Sequence, residues 1–103
     1  MADDTPILDL LATMTASSLE ASDLDSETLM LVRIAALIAV DAPPASYLMN
    51  LGAAGEIGVT VDQVQGVLAA VAPIVGTSRV VSAAGKMARA LGLALELADS
   101  DLE

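Results

Sequence analysis

Neither cysteine nor histidine occurs anywhere in the 103 residues. Without cysteine there is no disulfide frame, no Cys-x-x-Cys redox pair and no thiolate to serve as nucleophile or metal ligand. Without histidine the commonest general base and metal ligand is missing as well. Aromatic residues are nearly absent, Tyr47 standing alone with no Phe or Trp. Bases are scarce: four Lys and Arg face fourteen Asp and Glu, a formal charge of −10 that opposes nucleic acid and anionic membranes as partners. Long apolar runs are missing too. The longest, Ile34 to Val40, falls well short of the roughly 20 residues of a membrane-spanning helix. The chain starts with Asp3 and Asp4 rather than a basic segment, so no secretory signal is expected, and a cytoplasmic location is. No glycine-rich phosphate loop, nucleophile elbow or metal-ligand spacing is found, and no cofactor is expected.

What is present is aliphatic. Hydrophobic residues make up 55% of the chain, and the mean hydropathy is +0.71. This mass is Ala, Leu, Val, Ile and Met, which favours helices packed closely through small side chains. The length fits one domain. A surplus of apolar surface in so short a chain predicts self-association. The acids concentrate at the ends, giving an acidic N-terminal helix over 1–23, a core over 24–98 and an acidic tail over 99–103. As a solvated coat they keep an apolar oligomer soluble; as a recognition surface they suit a basic protein partner.

Five helices and no strands are predicted. Thr5 and Pro6 open the first, with Ile7, Leu8, Leu11, Met14, Thr15 and Leu19 as its stripe, ending near Ser22. Asp25 or Ser26 caps the second, in which every residue from Leu29 to Val40 except Arg33 is apolar. A helix hydrophobic all round belongs in a core or between subunits. Ala42-Pro43-Pro44 stops it, Pro44 or Ala45 opens the third, and Gly58 ends that one. Thr60 to Gln63 reads as a capping box, followed by Val64, Val67, Leu68 and Val71 on one face, with a kink or early end expected at Pro73. Thr77 or Ser78 caps the fifth helix. Its apolar stripe is Val80, Ala84, Met87, Leu91, Leu95, Ala98 and Leu102. Beside it, Val81, Gly85, Ala88 and Gly92 form a small-residue strip suited to close helix approach. Met14, Met30, Met49 and Met87 are expected to fill gaps in the core.

The segments LDSETLMLVRIAALIAV, YLMNLGAAGEIGVTVDQV and LAAVAPIVGTSRVVSA, together spanning about residues 24–90, resemble in order and character the carboxymuconolactone decarboxylase family, which includes the alkylhydroperoxidase D-like proteins. The resemblance implies an all-α fold of the alkylhydroperoxidase D-like type, assembled as a trimer or hexamer through apolar helices. Its chemistry does not carry over. The peroxidase branch has a Cys-x-x-Cys-x-x-x-His motif at the Pro-Pro corner, where this chain has Pro43, Ser46 and Asn50, and an upstream glutamate where it has Met30 and Leu31. Thiol relay needs a thiolate. The decarboxylase branch keeps a histidine at the position of Asn50, and asparagine cannot shuttle a proton near neutral pH. The resemblance therefore implies a catalytically degenerate homo-oligomer, a binding or scaffold subunit, with a catalytically complete paralogue as one conceivable partner. A cysteine-independent enzyme acting on a small lactone or carboxylic acid is the alternative.

Four residues form the candidate small-molecule pocket: Arg33, Ser46, Tyr47 and Asn50. Ser46 and Asn50 share a helix face at i, i+4 and could hydrogen-bond a ligand, or serve only solvent and backbone. Tyr47 could act as an acid if Arg33 lowered its pKa; the ordinary alternative is a ring on the core with its hydroxyl on a partner. Arg33 is a charge inside an apolar helix. It could hold an anionic ligand group or pair with Asp41, Glu56 or an acid of a neighbouring subunit.

Overall fold

A computed structural model describes residues 5–102, with side chains from 5 to 92. The described residues form five helices and no strand: α1 (Pro6–Ala21), α2 (Ser26–Ala39), α3 (Pro44–Glu56), α4 (Val61–Val75) and α5 (Thr77–Leu102).

Local chemistry sets most of these boundaries. Asp25 caps α2 by accepting from the Thr28 backbone N–H at 2.8 Å. Thr60 and Gln63 complete the capping box of α4: the Gln63 N–H donates to Thr60 Oγ1 at 3.1 Å, and the Thr60 N–H donates to Gln63 Oε1 at 2.8 Å. Gln63 Nε2 also donates to Glu27 Oε1, joining the start of α4 to the first turn of α2. Pro73 lies inside the last turn of α4 without ending it early; the helix runs to Val75 and stops at Gly76, whose φ is 89°. The first residue of α5 is Thr77. Its cap position is Gly76, whose carbonyl accepts from the Val80 N–H at 3.2 Å, so neither Thr77 nor Ser78 holds that place.

Both ends of the α3 hairpin close in the same way. After α3, Val59 N–H donates to Ala54 O and Gly58 N–H to Gly55 O, with Gly58 at φ 96°. After α2, Ala42 N–H donates to Leu37 O and Asp41 N–H to Ile38 O, with Asp41 at φ 56°. Each is a Schellman turn. The second puts an aspartate in the left-handed region, where glycine is the usual residue.

The core lies where α2 meets α3, α4 and α5. Ile34, Ile38 and Tyr47 are its largest fully buried side chains, surrounded by Leu29, Met30, Met87 and four alanines, among them Ala54, Ala83 and Ala90. Valines and Leu68 of α4 pack half-buried against it. Two sequence expectations change here, on α5 and for the methionines, while the face of α2 left open in the single chain fits a helix lying partly between subunits. On α5 the inward face is Ala83, Met87 and Ala90, while Ala84 and Leu91 are exposed; Leu95, Ala98 and Leu102 lie beyond the described side chains. On α2, Val32, Ala36, Ala39 and Val40 leave one face open. Met30 and Met87 fill the core as expected, but Met14 and Met49 are exposed.

α1 is the exception to the packing. No other helix comes within packing distance of it, and it buries no side chain. Ile7 is 67% exposed, Leu8 65%, Leu11 51% and Met14 57%. The chain's accessible surface is 7082 Å², against about 5,400 Å² for a compact monomer of this mass. Its radius of gyration is 14.9 Å, against about 13 Å. The exposed side chains of α1 contribute to the difference.

Candidate functional site

Two concavities flank α3. The first is a cleft of about 410 Å³ between the C-terminal half of α1 and the α2–α3 face. Arg33 and Asn50 both line it, with Thr15 and Leu19 from α1 and Met30, Met49 and Glu56 from the body. Ser46 and Tyr47 are outside its lining. The structure thus brings two of the four candidate residues to one place.

Arg33 is half-buried, and its Nη2 donates to Ser18 Oγ at 3.0 Å, which ties the arm to α2. Glu56 lines the same cleft, but no ion pair joins it to Arg33 among the described residues. Asp41 is engaged elsewhere. Asn50 donates from Nδ2 to the Ser46 carbonyl at 2.8 Å, so the i, i+4 relation acts through the backbone. This bond occupies one of the two amide hydrogens of Asn50, and the group can neither accept nor release a proton in acid–base work.

Tyr47 is fully enclosed in the core, and its hydroxyl has no hydrogen-bond partner among the described residues. Burial raises its pKa above the ordinary 10.0, and the charge of Asp41 adds to the effect. That is the reverse of the lowering by Arg33 that acid catalysis would require. At neutral pH the phenol stays protonated and away from the cleft.

The Pro-Pro corner is strapped rather than open. Lys86 Nζ donates to Asp41 Oδ1 at 2.9 Å and to its carbonyl at 3.2 Å, and Ser82 Oγ donates to the same carboxylate oxygen at 2.7 Å. The hydrogen bond from Lys86, then that from Ser82, holds the Asp41 carboxyl below its ordinary value of 3.8. These bonds explain how a non-glycine residue is kept at positive φ. Neither Ser82 nor Lys86 stands out in the sequence as a partner for Asp41. The signal was available as their i, i+4 spacing, but their target lies some forty residues away in the chain.

The second concavity is a groove of about 420 Å³ beneath the α3–α4 turn, walled by α3, α4 and α5. Leu51, Gly55, Val64, Leu68, Ala84 and Leu91 are among its lining residues, and Gln65 is its one polar side chain. No described cluster of acids could hold a metal ion, and no described helix is long and apolar enough to cross a membrane. No family model, curated protein or solved structure matches the chain.

Proposed function

We propose that the chain is a homo-oligomeric binding or scaffold subunit, a catalytically degenerate form of the carboxymuconolactone decarboxylase-like helical domain. The observation that carries this reading is the apolar arm: six large aliphatic side chains of α1 are at least half exposed. A helix of 16 residues that buries no side chain and is tied to the body by the Arg33–Ser18 hydrogen bond is marginal in water, so α1 requires a partner surface to be stable. The five-helix order and the Pro-Pro corner support the family reading. The lack of cysteine and histidine removes thiol peroxidase chemistry and the decarboxylase histidine from it.

A second reading has one observation in its favour. Arg33 lines an open cleft with no described carboxylate bound to it, as a site for a small lactone or carboxylic acid would need. Against catalysis, Tyr47 does not reach that cleft and is harder to ionise than a free phenol.

Native mass spectrometry of the protein as purified separates the two. A ring of three or six copies without added mass is the result expected of a scaffold. A small acid released on denaturation, and lost in Arg33→Met, supports the binding or enzyme site. A monomer contradicts the proposal.

A further inference from the structure

We propose that the basic face of α5, Arg79 and Arg89 with Lys86 between them, docks the acidic end of a second copy, where α1 gives way to α2. The inference rests on the homo-oligomeric reading above and says which surfaces meet.

Three of the chain's four bases are Arg79, Lys86 and Arg89. Spacings of seven and three put them on one face of α5, over about 15 Å of its length. Lys86 is engaged by Asp41, at 2.9 Å. Arg79 and Arg89 are exposed, and neither has an ion pair among the described residues. Two free guanidinium groups are thus held on a face that the Lys86–Asp41 bond anchors to the turn ending α2.

The acids collect at the other end of α2. Asp25 is its N-cap, and Glu27 lies in its first turn. Glu27 accepts from Gln63, beside Asp62 in the first turn of α4. Glu20 stands in the last turn of α1, and Asp23 follows that helix. All five acids are exposed, and none has an ion pair among the described residues. The helix between the two ends has 14 residues, about 21 Å at a rise of about 1.5 Å each. That exceeds the Debye length of about 8 Å at physiological ionic strength, so the two ends of one chain do not neutralise each other.

Charge also says which face a second copy can use. Two chains at −10 each repel over most of their surfaces. Among the described residues the α5 face is where bases cluster, so there the approach of a copy is favoured rather than opposed. The acidic end is the part of that copy drawn to it. Every chain carries both surfaces. The contact is therefore head-to-tail, repeats from copy to copy and closes into a ring when the rotation permits. It also brings the last turn of α1 against the neighbour.

Two pairs of substitutions at exposed positions test the contact by analytical ultracentrifugation, with circular dichroism as the check on folding. Arg79→Glu with Arg89→Glu acidifies the face. Glu20→Arg with Asp23→Arg weakens the acidic end and leaves the Asp25 cap and the Glu27–Gln63 bond in place. Each chain alone is expected to associate at least about ten-fold more weakly than wild type, with helical content unchanged. An equimolar mixture is expected to recover a heterodimer, through the intact end of one and the intact face of the other. General repulsion predicts the opposite for the second chain, which is less negative than wild type and would associate more strongly. If that chain associates as tightly as wild type, or the mixture no more tightly than its components, the docking is overturned and the oligomer stands. Wild-type protein that sediments as a monomer removes both. Arg79→Gln with Arg89→Gln gives a second check that introduces no new charge: it is expected to weaken association several-fold, and unchanged association overturns the proposal.

Discussion

α1 and α2 are close in length, at 16 and 14 residues, and both are rich in leucine, isoleucine and alanine. α2 buries Leu29, Met30, Ile34 and Ile38 against three neighbouring helices, whereas α1 buries nothing within the chain. The difference comes from topology. The turn at Asp41–Pro44 folds α3 back onto α2, and the capping box at Thr60 returns α4 to its other side. The segment between α1 and α2 supplies no such closure, and the arm is held by the Arg33–Ser18 bond over an unfilled cleft. An apolar stripe states that a face will be covered. It does not state whether the same chain covers it.

The largest expected effect lies on the α2 side of this comparison. Ile38→Ala, at a fully buried site, should lower unfolding stability by about 3 kcal/mol whatever the protein concentration; a loss under 1 kcal/mol, read from urea unfolding, would show that α2 is not the centre of the core. The corresponding change in the arm, Leu11→Glu, should abolish assembly and cost at most the helical content of α1, while leaving the stability of the α2–α5 core within about 0.5 kcal/mol. Light scattering that finds the variant still assembled would end the distinction between the two helices.

A smaller effect concerns the polar group that, among the described residues, is enclosed with α2 without a partner. Tyr47→Phe removes a buried hydroxyl with no described partner, and should raise stability by about 1 kcal/mol. Destabilisation by that amount would mean that the hydroxyl is bonded in the assembled protein. The least effect is expected from pH. Asp25 is held below its ordinary 3.8 by hydrogen bonds from Thr28, and Asp41 by those from Lys86 and Ser82. Their folded values lie below their unfolded ones, so the stability they contribute is complete above about pH 4 and is lost as pH falls through the folded values. Asp41→Asn should flatten part of that acid limb in thermal melts recorded from pH 5 to 2; an unchanged limb would show that the strap to α5 does not contribute to stability.

Much of the fold was legible because its signals are local. Thr60 with Gln63, Asp25 before Thr28, Gly58 after α3 and the Pro43-Pro44 stop each act within about five residues of the boundary they set. The phase of α5 was not legible: alanines occur on both of its candidate faces, and the choice of Ala83 and Ala90 over Ala84 and Leu91 was made by packing against α3, α4 and α2. The same holds at the candidate site. The i, i+4 relation of Asn50 and Ser46 could be read directly, although the bond goes to the carbonyl. The partner of Arg33 could not, because Ser18 belongs to another helix; of the acids proposed within the chain, Asp41 is engaged by Lys86 and Ser82, and Glu56 lines the same cleft without a described ion pair to Arg33. Nor could the left-handed Asp41, which takes the place of the expected glycine by virtue of contacts formed only in three dimensions.

Hydrogen exchange of the intact protein, compared between α1 and α2 at high and at low concentration, tests the central claim most directly. If a second copy covers the arm, amides of α1 will be protected nearly as well as those of α2 at high concentration and will lose that protection on dilution, while α2 keeps its own. Amides of α1 that exchange freely at every concentration would contradict the account.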